Sequence, residues 1–252
     1  MDSLARKKRP NLSLGQLFVC GSGINRPLDL SLRTLQVLAS CDSIIYGHGD
    51  IKQTRGILDR FCPGVPVREL NHSPARGSGD SISAACALLE AEIRQGKKVA
   101  YLTHGHPLLF SEAQDVLDYC RRRGYTTTVV PALSSVDALL EAAARLDPAF
   151  LRRGFSVHHA TPLSEGRATF NPRVAAFVLD IWDTLATDRF HKFCRALVES
   201  YPATHAVHLL HSTSGGGEVV STLEVRRFSS ARDMIAEEHS LVIASVPARK
   251  TA

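Results

Sequence analysis

Short runs of continuously apolar residues alternate with longer segments of helical spacing, and most of the runs lead into a turn made of glycine, histidine or proline. QLFVCG runs into SGIN, SIIYG into HGD, VAYLT into HGHP and TTTVV into PALSS. Apolar runs without polar alternation fit strands that are buried on both faces. The segments between them, such as SAACALLEAEIRQG closed by Gly96 and SEAQDVLDYCRRRG closed by Gly124, supply the helices that cover those faces. The pattern predicts an α/β fold with a mostly parallel sheet.

Further helices are expected over Leu30–Ala39, Ile51–Arg60 and SSVDALLEAAARL, with a short strand at VREL. Gly77 to Gly79 read as a loop, with Asp80 or Ser81 capping the helix that follows. The rhythm pauses at Asp147-Pro148, and strands then outnumber helices. FSVHHA, AAFVLDIW, HAVHLLHS and SLVIASVP are expected as strands, DRFHKFCRALVESY and SSARDMIAEE as helices, and SGGGEVVSTL as a glycine-rich turn. The chain therefore divides into a flexible basic leader (1–15), an N-terminal α/β domain (16–135) and a C-terminal α/β domain with a mixed sheet (136–252).

The formal net charge of +5 rests largely on Arg6-Lys7-Lys8-Arg9 and Arg121-Arg122-Arg123. The first cluster reads as a solvated tail and the second as a helix C-terminus, where cations suit the dipole. Basic residues are not interleaved with aromatics, so a nucleic-acid partner is not expected. No run approaches the ~20 apolar residues of a membrane span, and no secretion signal opens the chain, so a cytoplasmic location is expected. The six cysteines include no C-x-x-C pair and fit free thiols in a reducing compartment rather than disulfides or zinc.

Three turns carry the chemistry. The first, Gly21-Ser22-Gly23-Ile24-Asn25-Arg26-Pro27, follows a strand, where glycines let backbone approach a ligand. A dinucleotide fingerprint would need glycine at Arg26 and an acid after the second strand, which ends Tyr46-Gly47-His48 instead. The second turn, Thr103-His104-Gly105-His106-Pro107-Leu108-Leu109-Phe110, lies where ligands sit in open α/β sheets. His104 and His106 lack a third ligand at suitable spacing, so no metal is expected. In the third, Pro131-Ala132-Leu133-Ser134-Ser135, the serines suit either a helix cap or a small polar ligand.

The order and spacing of GSGINRPLDLSLRTLQVLASCDSIIYG, HGHPLLF, PALSSVDA and HAVHLLHSTSGGGEVVSTLEV resemble the tetrapyrrole methylase superfamily over roughly residues 16–247. That resemblance implies two α/β domains with S-adenosylmethionine in the cleft between them and S-adenosylhomocysteine as product. It places cofactor contacts at His104, Gly105, His106, Leu109, Ser134, Ser135, Ile181, Ser212 and Thr213, with Ile181 on a strand and Ser212 and Thr213 on a late turn. Within the superfamily, GSGI, G-H-P-x-x-F and S-S-V-D look most like the borosin peptide α-N-methyltransferases, enzymes of ribosomal natural-product pathways. Their arginine and three tyrosines around the amide fall here at His72, Gly79, Ile82 and His104, with Arg76 close by but out of register.

The implied activity is methylation of a peptide backbone amide, in trans, because the chain ends at Ala252 without an apolar core peptide. Methylation of a tetrapyrrole or other small molecule is the alternative acceptor, and a cofactor-binding inactive partner subunit is the alternative in kind. An in-line methyl transfer needs alignment and, for a protonated acceptor, a base and an oxyanion partner. His104 and His72 are the candidate bases and Arg76 the candidate oxyanion partner. Trp182, the single tryptophan, reads as a core residue, with stacking on adenine or substrate as the alternative. A homodimer is expected from the family and from apolar positions around Leu88-Leu89 and Val116-Leu117.

Overall fold

Alternate residues of the first strands face opposite ways, and both sets are buried. Leu17 and Val19 of β1 (Gln16–Gly21) join Ile45 of β2 (Ser43–Tyr46) and Val99 and Tyr101 of β4 (Lys98–Thr103) in one core. Cys20, Ile44, Tyr46, Ala100 and Leu102 of the same strands form another. A strand with two apolar faces needs helices on both sides. α3 (Ser78–Ile93) and α4 (Ala113–Arg122) cover the first face, and α1 (Leu32–Ala39) and α2 (Lys52–Phe61) the second. With β3 (Val67–Glu69) and β5 (Thr126–Val130) the sheet has the order β3-β2-β4-β1-β5, and every pairing is parallel.

The structure is a computed structural model that describes residues 15–25, 27–47, 51–70, 78–146, 150, 154–186, 188–213 and 216–246, without the side chains of residues 53, 78–81 and 212–217. The chain falls into two compact units that divide between Leu133 and Ser134. Residues 1–14 of the basic leader, His72 and Arg76 lie outside the described residues, while Gly15 is buried and donates its N–H to the Ile93 carbonyl. Among the described residues no helix is long and apolar enough to cross a membrane.

The second unit has the order β6-β7-β10-β8-β9. β6 (Phe155–His159) pairs in parallel with β7 (Ala175–Leu179), and the other pairings, through β10 (His239–Ile243), β8 (Ala206–Thr213) and β9 (Gly216–Glu224), are antiparallel. This is the mixed sheet expected there. α5 (Ser135–Leu146) packs against β7, β8 and β9. A core of Ala176, Val178, Val207, Leu209, Leu241 and Ile243 takes in α6 (Ala160–Ser164) and α7 (Arg189–Ser200). Phe170 meets Phe193 and Tyr201 edge-on, at 6.1 and 5.4 Å, arrangements that add about 0.5–1.5 kcal/mol each beyond burial.

Several expected elements differ. α3 starts at Ser78, so Asp80 and Ser81 lie inside the helix and do not cap it. The strand AAFVLDIW stops at Leu179, and Ile181–Thr184 form a 3₁₀ turn. Residues 216–223 of the expected glycine-rich turn belong instead to β9, paired along β8. The expected helix SSARDMIAEE is instead a 3₁₀ segment, Val225–Met234, whose buried residues Val225, Phe228 and Ala231 recur every third position. Leu89, Val116 and Leu117 are buried and the half-buried Leu88 packs against the same core.

Candidate functional site

In the first unit the connections out of β1 and β4 leave in opposite directions along the sheet, toward β2 and β5. Between such neighbours the carboxyl ends of the strands leave a crevice. The two turns there are tied backbone to backbone. The Ser22 N–H donates to the Thr103 carbonyl at 2.9 Å, and the Gly105 N–H to the Gly23 carbonyl at 3.0 Å. Asp29 holds the first turn closed, its Oδ2 accepting from the N–H groups of Ile24 and Asn25 at 3.1 and 2.7 Å.

Gly21 shows how close the three motif turns come. A β-carbon there would stand 2.4 Å from the Gly105 carbonyl oxygen, 2.6 Å from the Ala132 β-carbon and 2.9 Å from the Pro107 ring. Gly105 differs: its φ of +63° favours glycine, yet a β-carbon would meet nothing within 4 Å. A side chain at Gly105 would thus extend into open space, although the glycine itself is buried.

The rest of the second turn is self-supporting. His106 Nδ1 accepts from the Leu108 N–H at 3.1 Å, and Gln114 Nε2 donates to the Leu108 carbonyl at 2.6 Å. His104 and Leu109 are half-buried, while Leu108, Phe110 and Leu133 are exposed apolar side chains beside these turns. Phe110 has a φ of 48°, unusual for a bulky residue and costing roughly 1–2 kcal/mol.

Ser134 precedes α5, and the Asp137 carboxylate caps the serine N–H rather than the serine hydroxyl capping the helix. Its N–H and its hydroxyl both donate to Asp137 Oδ2, at 2.7 and 2.8 Å, which secures the start of α5. Ser135 follows as the first helical residue, half-buried. Ile181 is fully buried in the second core and sits on the 3₁₀ turn rather than on a strand. Ser212 and Thr213 belong to β8 rather than to a turn. The first unit therefore brings His104, Gly105, His106 and Leu109 together on one turn.

A second cluster, which sequence reasoning passed over, lies at the carboxyl ends of the parallel pair β6–β7. His159 Nδ1 accepts from the Thr161 N–H at 3.1 Å, while Nε2 faces Asp180 Oδ2 at 3.4 Å and Asp183 Oδ2 at 3.5 Å. Asp180 is in the left-handed region, with φ 56°. Burial pushes its carboxyl above the usual carboxylate range, partly offset by His159. Trp182, expected in the core, is 46% exposed. The only sequence signal for this cluster was a strand ending in histidine followed by a strand ending in Asp-Ile-Trp-Asp.

Elsewhere, burial raises the thiol pKa of every cysteine, Cys41, Cys120 and Cys194 to about 11, so none is suited to act as a nucleophile. The cysteines are free, five buried and Cys194 half-buried. Among the described residues no group of three or more His, Cys, Asp or Glu side chains could hold a metal ion.

Residues 16–226 match the family model of the Tetrapyrrole (Corrin/Porphyrin) Methylases. A uroporphyrinogen-III C-methyltransferase of Synechococcus elongatus is 31% identical over 148 residues, 57% of this chain and 58% of that protein. A methyltransferase/ribosomally synthesized type II borosin cyclic peptide precursor of Phlebiopsis gigantea is 28% identical over 152 residues, 59% of this chain but 26% of that protein. The matches thus span less than two thirds of these relatives. The crystal structure of uroporphyrin-III-C-methyltransferase from Thermus thermophilus shares the fold, with a TM-score of 0.65 at 22% identity over 92% of both chains.

Proposed function

The chain belongs to the tetrapyrrole (corrin/porphyrin) methylase family, and on that premise we propose that it is an S-adenosylmethionine-dependent methyltransferase. The observation that carries this reading is the meeting of three strand-end turns at Gly21, with open space beside them at the β-carbon position of Gly105. That cradle fits a ligand held by backbone rather than by charged side chains, and Gly105, His106 and Leu109 are the residues that would hold it. When bound, the cofactor supplies an electrophilic methyl group on a sulfonium and leaves as S-adenosylhomocysteine.

For the acceptor we favour the backbone amide of a separate peptide chain, supported by the HGHPLLF turn and the match to a borosin precursor. The new bond joins the amide nitrogen to the methyl carbon as the sulfur–methyl bond breaks, and the amide proton must leave. His104, on the same turn as Gly105, is the residue we assign to orient the acceptor and take that proton. A tetrapyrrole or other small-molecule acceptor is the second reading, favoured by the match to the uroporphyrinogen-III enzyme. A homodimer belongs to the same proposal and is checked by light scattering.

The test is calorimetry with S-adenosylmethionine and S-adenosylhomocysteine, followed by intact-mass analysis after incubation with capped peptides or with uroporphyrinogen III. Binding followed by a gain of methyl mass on a peptide supports the first reading, and on the tetrapyrrole the second. Binding with no transfer to any acceptor identifies an inactive partner subunit. Failure to bind either form of the cofactor overturns the assignment.

A further inference from the structure

Beside the His159 cluster, the second unit holds a cavity of about 540 Å³ lined by Thr161, Trp182, Asp183, Leu185, Ala186 and Arg189. That volume lies within the ~300–1,000 Å³ range of small-ligand sites. The cavity sits past the carboxyl ends of two parallel strands, the usual ligand position in such sheets. Its walls are fixed from several sides. His159 joins Thr161 to Asp183 through its two ring nitrogens, and Arg232 donates to the Leu185 carbonyl at 2.6 Å while lying over the Phe190 ring. Glu165 pairs with Arg189 at 3.0 Å.

The charge pattern argues against a polycarboxylate. Asp183 balances Arg189 within the lining, Arg189 shares Glu165 with Arg167, and Asp180 stands nearby, so the described lining carries no cationic excess to receive a ring of propionates. What remains is an apolar surface of indole, leucine and alanine beside acceptor oxygens on Thr161 and Asp183. An indole at 46% exposure is a large rigid surface that gains by being covered.

We infer that this cavity is a subsite for a peptide segment, with an apolar side chain laid against Trp182, Leu185 and Ala186 and a backbone N–H donated to Asp183. The inference rests on the peptide-acceptor reading and gives it a specificity: apolar residues are preferred and acidic ones excluded. His159 is a positioning residue here, since it holds both Thr161 and Asp183 without lining the cavity itself.

Trp182 is the single tryptophan of the chain, so its emission reports on this cavity alone. The probe is a capped tetrapeptide of leucine, valine and glycine, titrated without cofactor, beside the same peptide with glutamate in place of leucine. A saturable blue shift with the leucine peptide only is expected. Asp183→Asn should weaken its binding about tenfold, the worth of one hydrogen bond to a charged acceptor. Leu185→Arg should abolish the shift; should it lower the melting temperature, the exposed Ala186→Arg carries the same test.

No saturable shift, equal response to both peptides, or a shift unchanged in the arginine variants overturns the subsite. A peptide that binds here but gains no methyl mass once cofactor is added leaves the subsite standing and removes the peptide-methylation reading. Methylation that is indifferent to Leu185→Arg and Ala186→Arg does the reverse.

Discussion

Each unit ends a pair of parallel strands in a candidate site, and the two are built from different materials. The first, at β1 and β4, is almost entirely backbone: Gly21 and Gly23 are glycine because neighbours fill the space of a side chain, and Gly105 because of its φ. The second, at β6 and β7, is built from side chains, with His159 bridging Thr161 to two aspartates beside an exposed indole. A backbone site tolerates drift in its side chains but not the addition of a β-carbon. A side-chain site depends on functional groups from distant positions and on their protonation.

The largest test of that contrast is His104, the one side chain of the first site to which chemistry is assigned. With an acceptor shown to be methylated, His104→Ala should lower turnover by ~10²–10⁴-fold while cofactor affinity measured by calorimetry stays nearly unchanged. Wild-type turnover would mean that the turn works through backbone alone.

Next come the glycines of the same turns, which should separate binding from stability. Gly105→Val should weaken cofactor binding ~100-fold, a loss worth about 2.7 kcal/mol, and cost only the ~1–2 kcal/mol of a disfavoured φ in a denaturant melt. Gly21→Ala should show a larger stability loss, up to about 3 kcal/mol from overpacking against Gly105, Ala132 and Pro107. Equal stability losses would remove the distinction between a glycine that faces ligand and one that faces protein.

Protonation should separate the units further. In the first unit, hydrogen bonds from Tyr119, Arg94 and Tyr125 hold the Glu90 carboxyl down at about 2, away from the site turns. Its contribution is present above the ordinary glutamate value and is lost as pH falls toward 2. Glu90→Gln should therefore flatten the acid limb of the melting curve and leave cofactor binding untouched.

In the second unit, burial raises Asp180 at the site itself. A raised acid is favourable below its unfolded pKa and loses that benefit as pH rises through the folded one, so ionised Asp180 is a burden at neutral pH. Asp180→Asn, which also suits the left-handed backbone, should raise the melting temperature modestly at pH 7, with the gain lost as pH falls through the raised value toward the ordinary aspartate range. A gain that persists in acid would assign the effect to the backbone alone.

The same difference in materials explains what could be read from the sequence. The first sheet was legible because strands such as Val99–Leu102 are buried on both faces and carry no polar alternation. Gly21, Gly105 and Pro107 stood out because glycine and proline mark backbone directly. β9 was not legible: Gly216 and Gly217 lower strand propensity, and its pairing with β8 prevails over that. The 3₁₀ segment went unrecognised because a spacing of three, as in Val225, Phe228 and Ala231, is close to helical spacing. His159, Asp180 and Trp182 are joined only by the pairing of β6 with β7, and no local pattern announces that.

The buried thiols have a practical consequence. Cys20, Cys41, Cys62, Cys86 and Cys120 belong to the first unit and Cys194 to the second, and burial holds each as the slow-reacting neutral thiol. A thiol reagent added to the native protein therefore reacts at the rate at which each region opens, and peptide mapping sorts the label by position. The chain carries its own gauge of local opening, with several readings in one unit and a single one in the other.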